Sequence, residues 1–323
     1  MALTVERDVD ELRRGLERWL GRTVGALERP SPGFSCETLL VERALVVRLP
    51  PVGDGIFPAY DLAQQAAVQD AVGAAGVPVA GPSRYEPDAS YLGAPFVAMS
   101  FVDGPIPSDF TPADPWLTGL ASDDDRAAVW GAYLDTVVAI HRTPTDGLGL
   151  RTGLGAEVEH WERYVSWATD GSPPAPLVEV LAWCRAHRPP VEPPAGLLWG
   201  DVRLGNIVFD PERLVPRAVL DWDMASAGPI ELDLAWHLAL EGVQTELTKM
   251  EVPGFGDRAA AVARVEAGVG RPLEDLHWYE VFALARASAV ATRIAILQER
   301  AGQRPMFTVG ADPTLAAALA KLG

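Results

Sequence analysis

The chain of 323 residues, 48% hydrophobic and 22% charged, has the make-up of a folded globular protein of about two domains rather than a disordered one. A formal net charge of −17 speaks against a nucleic-acid partner, because phosphate backbones are bound by clustered Lys and Arg; it would suit a cationic substrate or serve solubility. With no run of about 18 apolar residues, no signal-peptide core in Met1 to Asp8 and only Cys36 and Cys184 as thiols, neither a membrane span nor a disulfide or metal cluster is expected, and the cytoplasm is the default location.

Glu6 to Leu20 sets Leu12, Leu16, Trp19 and Leu20 among charges, an amphipathic helix pattern. Pro30 to Cys36 is turn-rich, and the β-prone runs Thr38 to Val41 and Ala44 to Leu49 predict a hairpin with the Gly33 loop at its mouth. A glycine loop before a strand can bring backbone N–H groups to phosphates, although a single glycine also makes an ordinary turn. Asp61 to Ala75 reads as a helix stopped by Gly76 and Pro78, and Gly93 to Gly104 as a strand running into a loop. Pro105 to Asp125 follows as linker and lid. Val129, Tyr133, Val137 and Ile140 then recur at helix spacing, with His141 closing the helix. Trp161, Tyr164 and Trp167 form an aromatic row that packs a core or offers a stacking platform, core packing being the simpler reading. Pro189 to Pro194 is a stiff connector, and Glu231 to Leu240 and Trp278 to Gln298 read as long buried helices.

The segment between Leu197 and Trp236 carries the chemistry. Two short apolar runs end in Asp201 and Asp221, and Asn206 follows Asp201 by five residues. That offset is the one in the catalytic loop of kinases, whose magnesium-binding Asp ends the next strand. On a tight loop Asp201 can orient an acceptor hydroxyl and take its proton. Asn206 and Asp221 supply the oxygens a hard Mg²⁺ prefers, with ATP phosphates and water completing the shell. Strand alternation would put Asp223 on the same face as Asp221, within reach of a second metal ion or a metal-bound water, or else Asp223 caps the following turn. Arg203 could neutralise charge developing on the transferred phosphoryl group. Asp233 reads as a buried structural acid holding backbone N–H groups of the catalytic loop. Glu241, Glu246 and Glu251 line an acidic acceptor pocket or, more simply, a solvated helix face.

The pattern Trp199-Gly200-Asp201 to Asn206, then Asp221-Trp222-Asp223, then Asp233-Leu234-Ala235, resembles the aminoglycoside phosphotransferase and choline kinase-like family. Gly33 to Thr38, Val47 to Pro50 and Gly93 to Met99 look like its N-terminal portion, most similar to the branch related to the kinase-like domain of certain acyl-CoA dehydrogenases. The resemblance implies an α+β, bilobal protein kinase-like fold: a small β-rich nucleotide-binding lobe over residues 1–103 and a larger helical catalytic lobe over 104–323. ATP would lie between them, near Gly33, Phe34, Ser35 and Arg48, with adenine on the backbone at Ser100 and Val102 beside Met99. Three departures stand out. Trp199 replaces a His that supports the loop, Arg48 replaces Lys, and Gln65 aligns with the helix Glu that pairs with that Lys. The expected activity is transfer of the γ-phosphoryl group of ATP to a hydroxyl of a small molecule, an antibiotic or other secondary metabolite. The alternative, suggested by Gln65, is a nucleotide-binding pseudokinase that regulates a partner. A protein kinase is disfavoured, since no activation segment follows Asp221.

Overall fold

The computed structural model describes residues 6–30 and 35–322. Its elements run α1 (Val9–Leu20), β1 (Leu27–Glu28), β2 (Glu37–Val41), β3 (Leu45–Leu49), α2 (Leu62–Ala74), β4 (Arg84–Glu86) and β5 (Phe96–Ser100). Then follow α3 (Pro115–Thr118), α4 (Asp123–His141), α5 (Leu154–Ala168), α6 (Ala175–Ala186) and the short strands β6 (Gly196–Leu198), β7 (Ile207–Phe209), β8 (Pro216–Val219) and β9 (Ser226–Gly228). The chain ends with α7 (Glu231–Thr248), α8 (Arg258–Val269), α9 (Leu276–Arg300) and α10 (Pro313–Ala320).

The small lobe is an antiparallel sheet in the order β1-β2-β3-β5-β4. Strand alternation gives it two apolar faces. One carries Leu39, Val41, Val47, Leu49 and Phe96 and is covered by Leu12 and Leu16 of α1, whose charged residues face outward. The other puts Thr38, Leu40, Val46 and Arg48 towards the cleft. The hairpin between β2 and β3 forms as predicted, with Glu42 and Arg43 at φ +55° and +50° in its turn. Beneath the sheet, Leu62 and Ala66 of α2 pack with Val97 and Met99, and this cluster continues into Val208 and Ala218 of the β7–β8 pair. The two lobes therefore share an apolar seam.

The large lobe is built round α9, which packs against α5, α6, α7 and α10. Every residue of α9 between Trp278 and Ala289 is buried, Glu280 and Arg286 included, the mark of a central helix. Trp161 and Tyr164 of the aromatic row lie in this core, and Trp167 packs under the Arg293 guanidinium, 4.3 Å from the ring centre. The row is core and not a platform in the cleft. The stretch read as a linker holds a turn of 3₁₀ helix at Thr111–Ala113 and the short α3. Among the described residues no helix is long and apolar enough to cross a membrane.

Gly104 follows β5 with φ +157°, and a Cβ there would lie 2.3 Å from the carbonyl oxygen of Phe209. Gly104→Ala should cost about 1–3 kcal/mol, read as a lower denaturation midpoint at unchanged slope.

Candidate active site

The loop after β6 is fixed from below by one buried acid. Asp233, 1% exposed at the start of α7, accepts the backbone N–H of Trp199 at 2.8 Å and of Gly200 at 2.9 Å. Burial pushes its carboxyl up to about 6 in spite of these two donors. This is the structural role read from the sequence. Gly200 takes φ +89°, where a Cβ would meet the Met224 carbonyl oxygen at 2.3 Å, so only glycine lets the chain turn there. Its own carbonyl accepts from the buried Arg286 guanidinium at 3.3 Å. The Trp199 indole, fully buried, donates to the carbonyls of Leu220 (2.9 Å) and Asp221 (3.0 Å). Trp199 thus ties the first loop to the second.

Asp201 emerges from this turn with both oxygens engaged. Its Oδ2 accepts from Arg203 Nε at 2.8 Å and from Asn206 Nδ2 at 2.9 Å, and its Oδ1 accepts from Trp236 Nε1 at 3.1 Å. Asn206 Nδ2 also bonds the Asp201 carbonyl at 3.0 Å, and the Asn206 carbonyl accepts Leu220 N–H at 2.9 Å. Arg203 is shared with Asp109, from the segment ahead of α3. Asp221 sits beyond β8 in a left-handed conformation, φ +63°, a strained backbone for a residue with a side chain. The strand therefore ends before the two acids, and alternation does not place them as expected. Both nevertheless line the cleft.

The second acid is held by the small lobe. Asp223, with a side chain 5% exposed, accepts Ser35 Oγ at 2.5 Å and Arg48 Nη2 at 2.9 Å on Oδ2, and Gln65 Nε2 on Oδ1. Arg48 lies 3.6 Å from Asp221. Burial resists ionisation at both acids. Arg48 and hydrogen bonds at Asp223 still hold Asp221 below the usual carboxylate range, whereas Asp223, despite Arg48, rises to about 6 beside the Asp221 charge. Arg48 and Gln65 do converge, through Asp223, so the strand arginine is not left without an anion.

These groups line one cavity of about 680 Å³. Its small-lobe half is formed by Thr38, Leu40, Val46, Ala80 and Met99 to Val102, with Val208 and Leu220 below. The rest of its lining is mostly apolar: Leu240 and Trp236 of α7, Ile56 and Phe57, and the α9 face Ala287, Val290, Ala291 and Ile294, with Asp109 and Thr314 as its polar members. The loop carrying Ile56 is pinned by Tyr164 Oη on the Ile56 carbonyl at 2.7 Å and Arg293 Nε on the Gly55 carbonyl at 2.9 Å. Asp201 lines the same cavity.

Of the residues anticipated, Ser35, Arg48, Met99, Ser100, Val102, Asp201, Arg203, Asn206, Asp221 and Asp223 all line this cavity. Gly33 and Phe34 lie outside the described residues. Glu241, Glu246 and Glu251 do not line it. Glu241 lies 3.6 Å from His237 Nε2 and Glu246 pairs with Lys249. Sequence reasoning missed Trp236, Asp109 and the α9 wall. Trp236 is three residues past Asp233, on the same helix face, so an anchor at 233 carries it to the loop; the wall keeps the spacing i, i+3, i+4, i+7.

Asn206 and Asp221 fit a hard divalent cation: an amide oxygen and a carboxylate, both cavity-lining, beside a strained backbone. Among the described residues no three His, Cys, Asp or Glu side chains gather as a metal cage. Mg²⁺ is commonly bound through one or two carboxylates together with substrate phosphates.

A family profile described as "Phosphotransferase enzyme family" matches residues 26–279. Acyl-CoA dehydrogenase family member 11 of Rattus norvegicus is 32% identical over 228 residues, which is 68% of this chain but 28% of that protein, so the chain spans about a quarter of the relative's length. Among solved structures, a candidate aminoglycoside phosphotransferase of Ralstonia eutropha JMP134 superposes with a TM-score of 0.70 at 20% identity, over 95% of this chain and 97% of that one. The GDP and kanamycin complex of APH(2")-IIia gives a TM-score of 0.58 at 14% identity, over 98% and 97%. These likenesses show the bilobal kinase-like fold.

Trp199→Phe should lower stability by about 2–4 kcal/mol in chemical denaturation, since it leaves two buried carbonyls without their donor and opens a void.

Proposed function

Because the chain belongs to the phosphotransferase enzyme family, we propose that it moves the γ-phosphoryl group of ATP to a hydroxyl of a small, largely apolar molecule, with Asp201 as the base. The observation that supports this reading is one cavity lined by Asp201, Asn206 and Asp221 together with Ser35, Arg48 and Met99 of the small lobe and the apolar face of α9. ATP would occupy the half under the sheet, its adenine along Met99, Ser100 and Val102 and its phosphates towards Ser35 and Arg48. The acceptor would lie along α9. Its hydroxyl donates to the Asp201 carboxylate, which takes the proton as oxygen bonds to phosphorus and ADP leaves. Arg203, hydrogen-bonded to Asp201, adds positive charge beside the reacting oxygens. The indole of Trp236 fixes the second oxygen of Asp201 and so aims the base.

Asn206 and Asp221 would hold Mg²⁺. When bound, that ion supplies charge neutralisation on the phosphates. For polycationic acceptors such as the kanamycin bound by the structural neighbour, carboxylates in the acceptor half would be needed. Leu240, Ala287, Val290, Ala291 and Ile294 offer none, and Asp109, which also lines the cavity, is paired with Arg203, which supports an acceptor with an apolar body. The division at residues 103 and 104 is part of the same proposal, with nucleotide above and acceptor below.

Asp201→Asn should reduce kcat by about 10²–10⁴-fold while ATP affinity, measured by calorimetry, stays within about twofold; undiminished turnover would remove Asp201 from the mechanism. In an ADP-release assay, macrolides and apolar alcohols should support turnover and aminoglycosides should not. Turnover with aminoglycosides alone would overturn the apolar-acceptor reading.

A further inference from the structure

Arg48 stands where an ATP-binding lobe needs a fixed cation, yet α2 gives it no acid: the residue that reaches into the seam from that helix is Gln65, a neutral amide. The anion comes instead from the far side of the cleft. We propose that Asp223 is a positioning residue: from the loop after β8 it supplies the negative charge that fixes Arg48 against the nucleotide phosphates, and leaves cation binding to Asn206 and Asp221. The proposal rests on the ATP reading of the small-lobe half.

Three observations carry it. Both oxygens of Asp223 are already committed to protein donors, Ser35 and Arg48 on one and Gln65 on the other, and the side chain is 5% exposed. A divalent cation there would sit against the Arg48 guanidinium, like charge on like charge in a poorly solvated place. Second, Arg48 is poised between two acids, 2.9 Å from Asp223 and 3.6 Å from Asp221. Without Asp223 the guanidinium would turn wholly to Asp221 and neutralise the group the cation needs. Third, the three donors come from the loop before β2, from β3 and from α2, so one carboxylate from the large lobe gathers three separate pieces of the small one. A buried carboxylate held by three donors from three elements, one of them a guanidinium, acts as a clasp between the lobes.

The amide and the acid are also exchangeable in principle, since Gln65 and Arg48 line one small cavity beside Trp222 and position 65 is within reach of the guanidinium. The test is ATP binding in EDTA, by calorimetry, for wild type, Asp223→Asn, Arg48→Gln, the double variant Arg48→Gln/Asp223→Asn and the exchange Gln65→Glu/Asp223→Asn. If Asp223 acts through Arg48, Asp223→Asn weakens metal-free binding by about tenfold and costs nothing further in the Arg48→Gln background. The exchange restores binding to within about threefold of wild type. A metal ligand behaves otherwise: its loss leaves metal-free binding unchanged, adds its full cost to the Arg48→Gln defect, and is not mended from position 65. Any of those three results overturns the proposal while leaving ATP binding by the wild type intact. If wild type itself binds no ATP, the nucleotide reading and the proposal fall together. The exchange keeps one carboxylate and one carboxamide in the seam, so it carries the test alone if Asp223→Asn does not fold.

Discussion

The bond pair from Trp199 and Gly200 to the Asp233 carboxylate is the constraint on which the rest of the site depends. Two N–H groups at the end of a short strand would otherwise be buried without partners, at a cost of about 1–3 kcal/mol each. Asp233 satisfies both, and because it begins a long helix it sets the loop against a rigid element. The same helix brings Trp236 to Asp201, and the same loop sends the Trp199 indole to the carbonyls of Leu220 and Asp221. A displacement of Asp233 would therefore be felt at both acids of the cleft, although it touches neither.

Across the cleft the logic is electrostatic. Trp199 takes over the work of a polar ring by reaching two backbone carbonyls with one N–H, which is why a large aromatic can stand before Gly200 without loosening the loop. Arg48 and Gln65 are likewise not independent departures. An arginine paired with a glutamine would be an uncompensated buried cation, whereas an arginine paired with Asp223, and Asp223 steadied by the amide, is a satisfied network. In that network the strand cation keeps an anionic partner in spite of Gln65.

What could be read from the sequence follows from the range over which each contact acts. Asp201 and Asn206 are five residues apart and joined through a single 3₁₀ turn, Leu204–Asn206, so their spacing alone signals a shared loop. The hairpin, α1, α4 and α9 were legible because their apolar periodicity is local. β1 and β4, with two and three residues, are too short to show a period. Asp223 lies 188 residues from Ser35, 175 from Arg48 and 158 from Gln65, and nothing in a linear pattern records such partners. The α9 wall is a middle case. Its spacing says helix face, but only the packing of α5, α6, α7 and α10 round it decides which face is left to the cavity.

The charge of the whole chain and the charge of the cleft are separate matters. The excess of acid that suggests a cationic partner does not gather along Leu240, Ile56, Phe57 and the α9 face, whose side chains are aliphatic and aromatic. Four carboxylates do line the cavity, Asp109, Asp201, Asp221 and Asp223, against two guanidiniums, Arg48 and Arg203. Each arginine lies within salt-bridge distance of two of those acids, so the pairs are spent within the protein and leave two negative charges over. One divalent cation balances two charges. Such a cation would take up the surplus of acid in the cleft, and at the apolar wall burial of hydrocarbon surface would supply the binding energy.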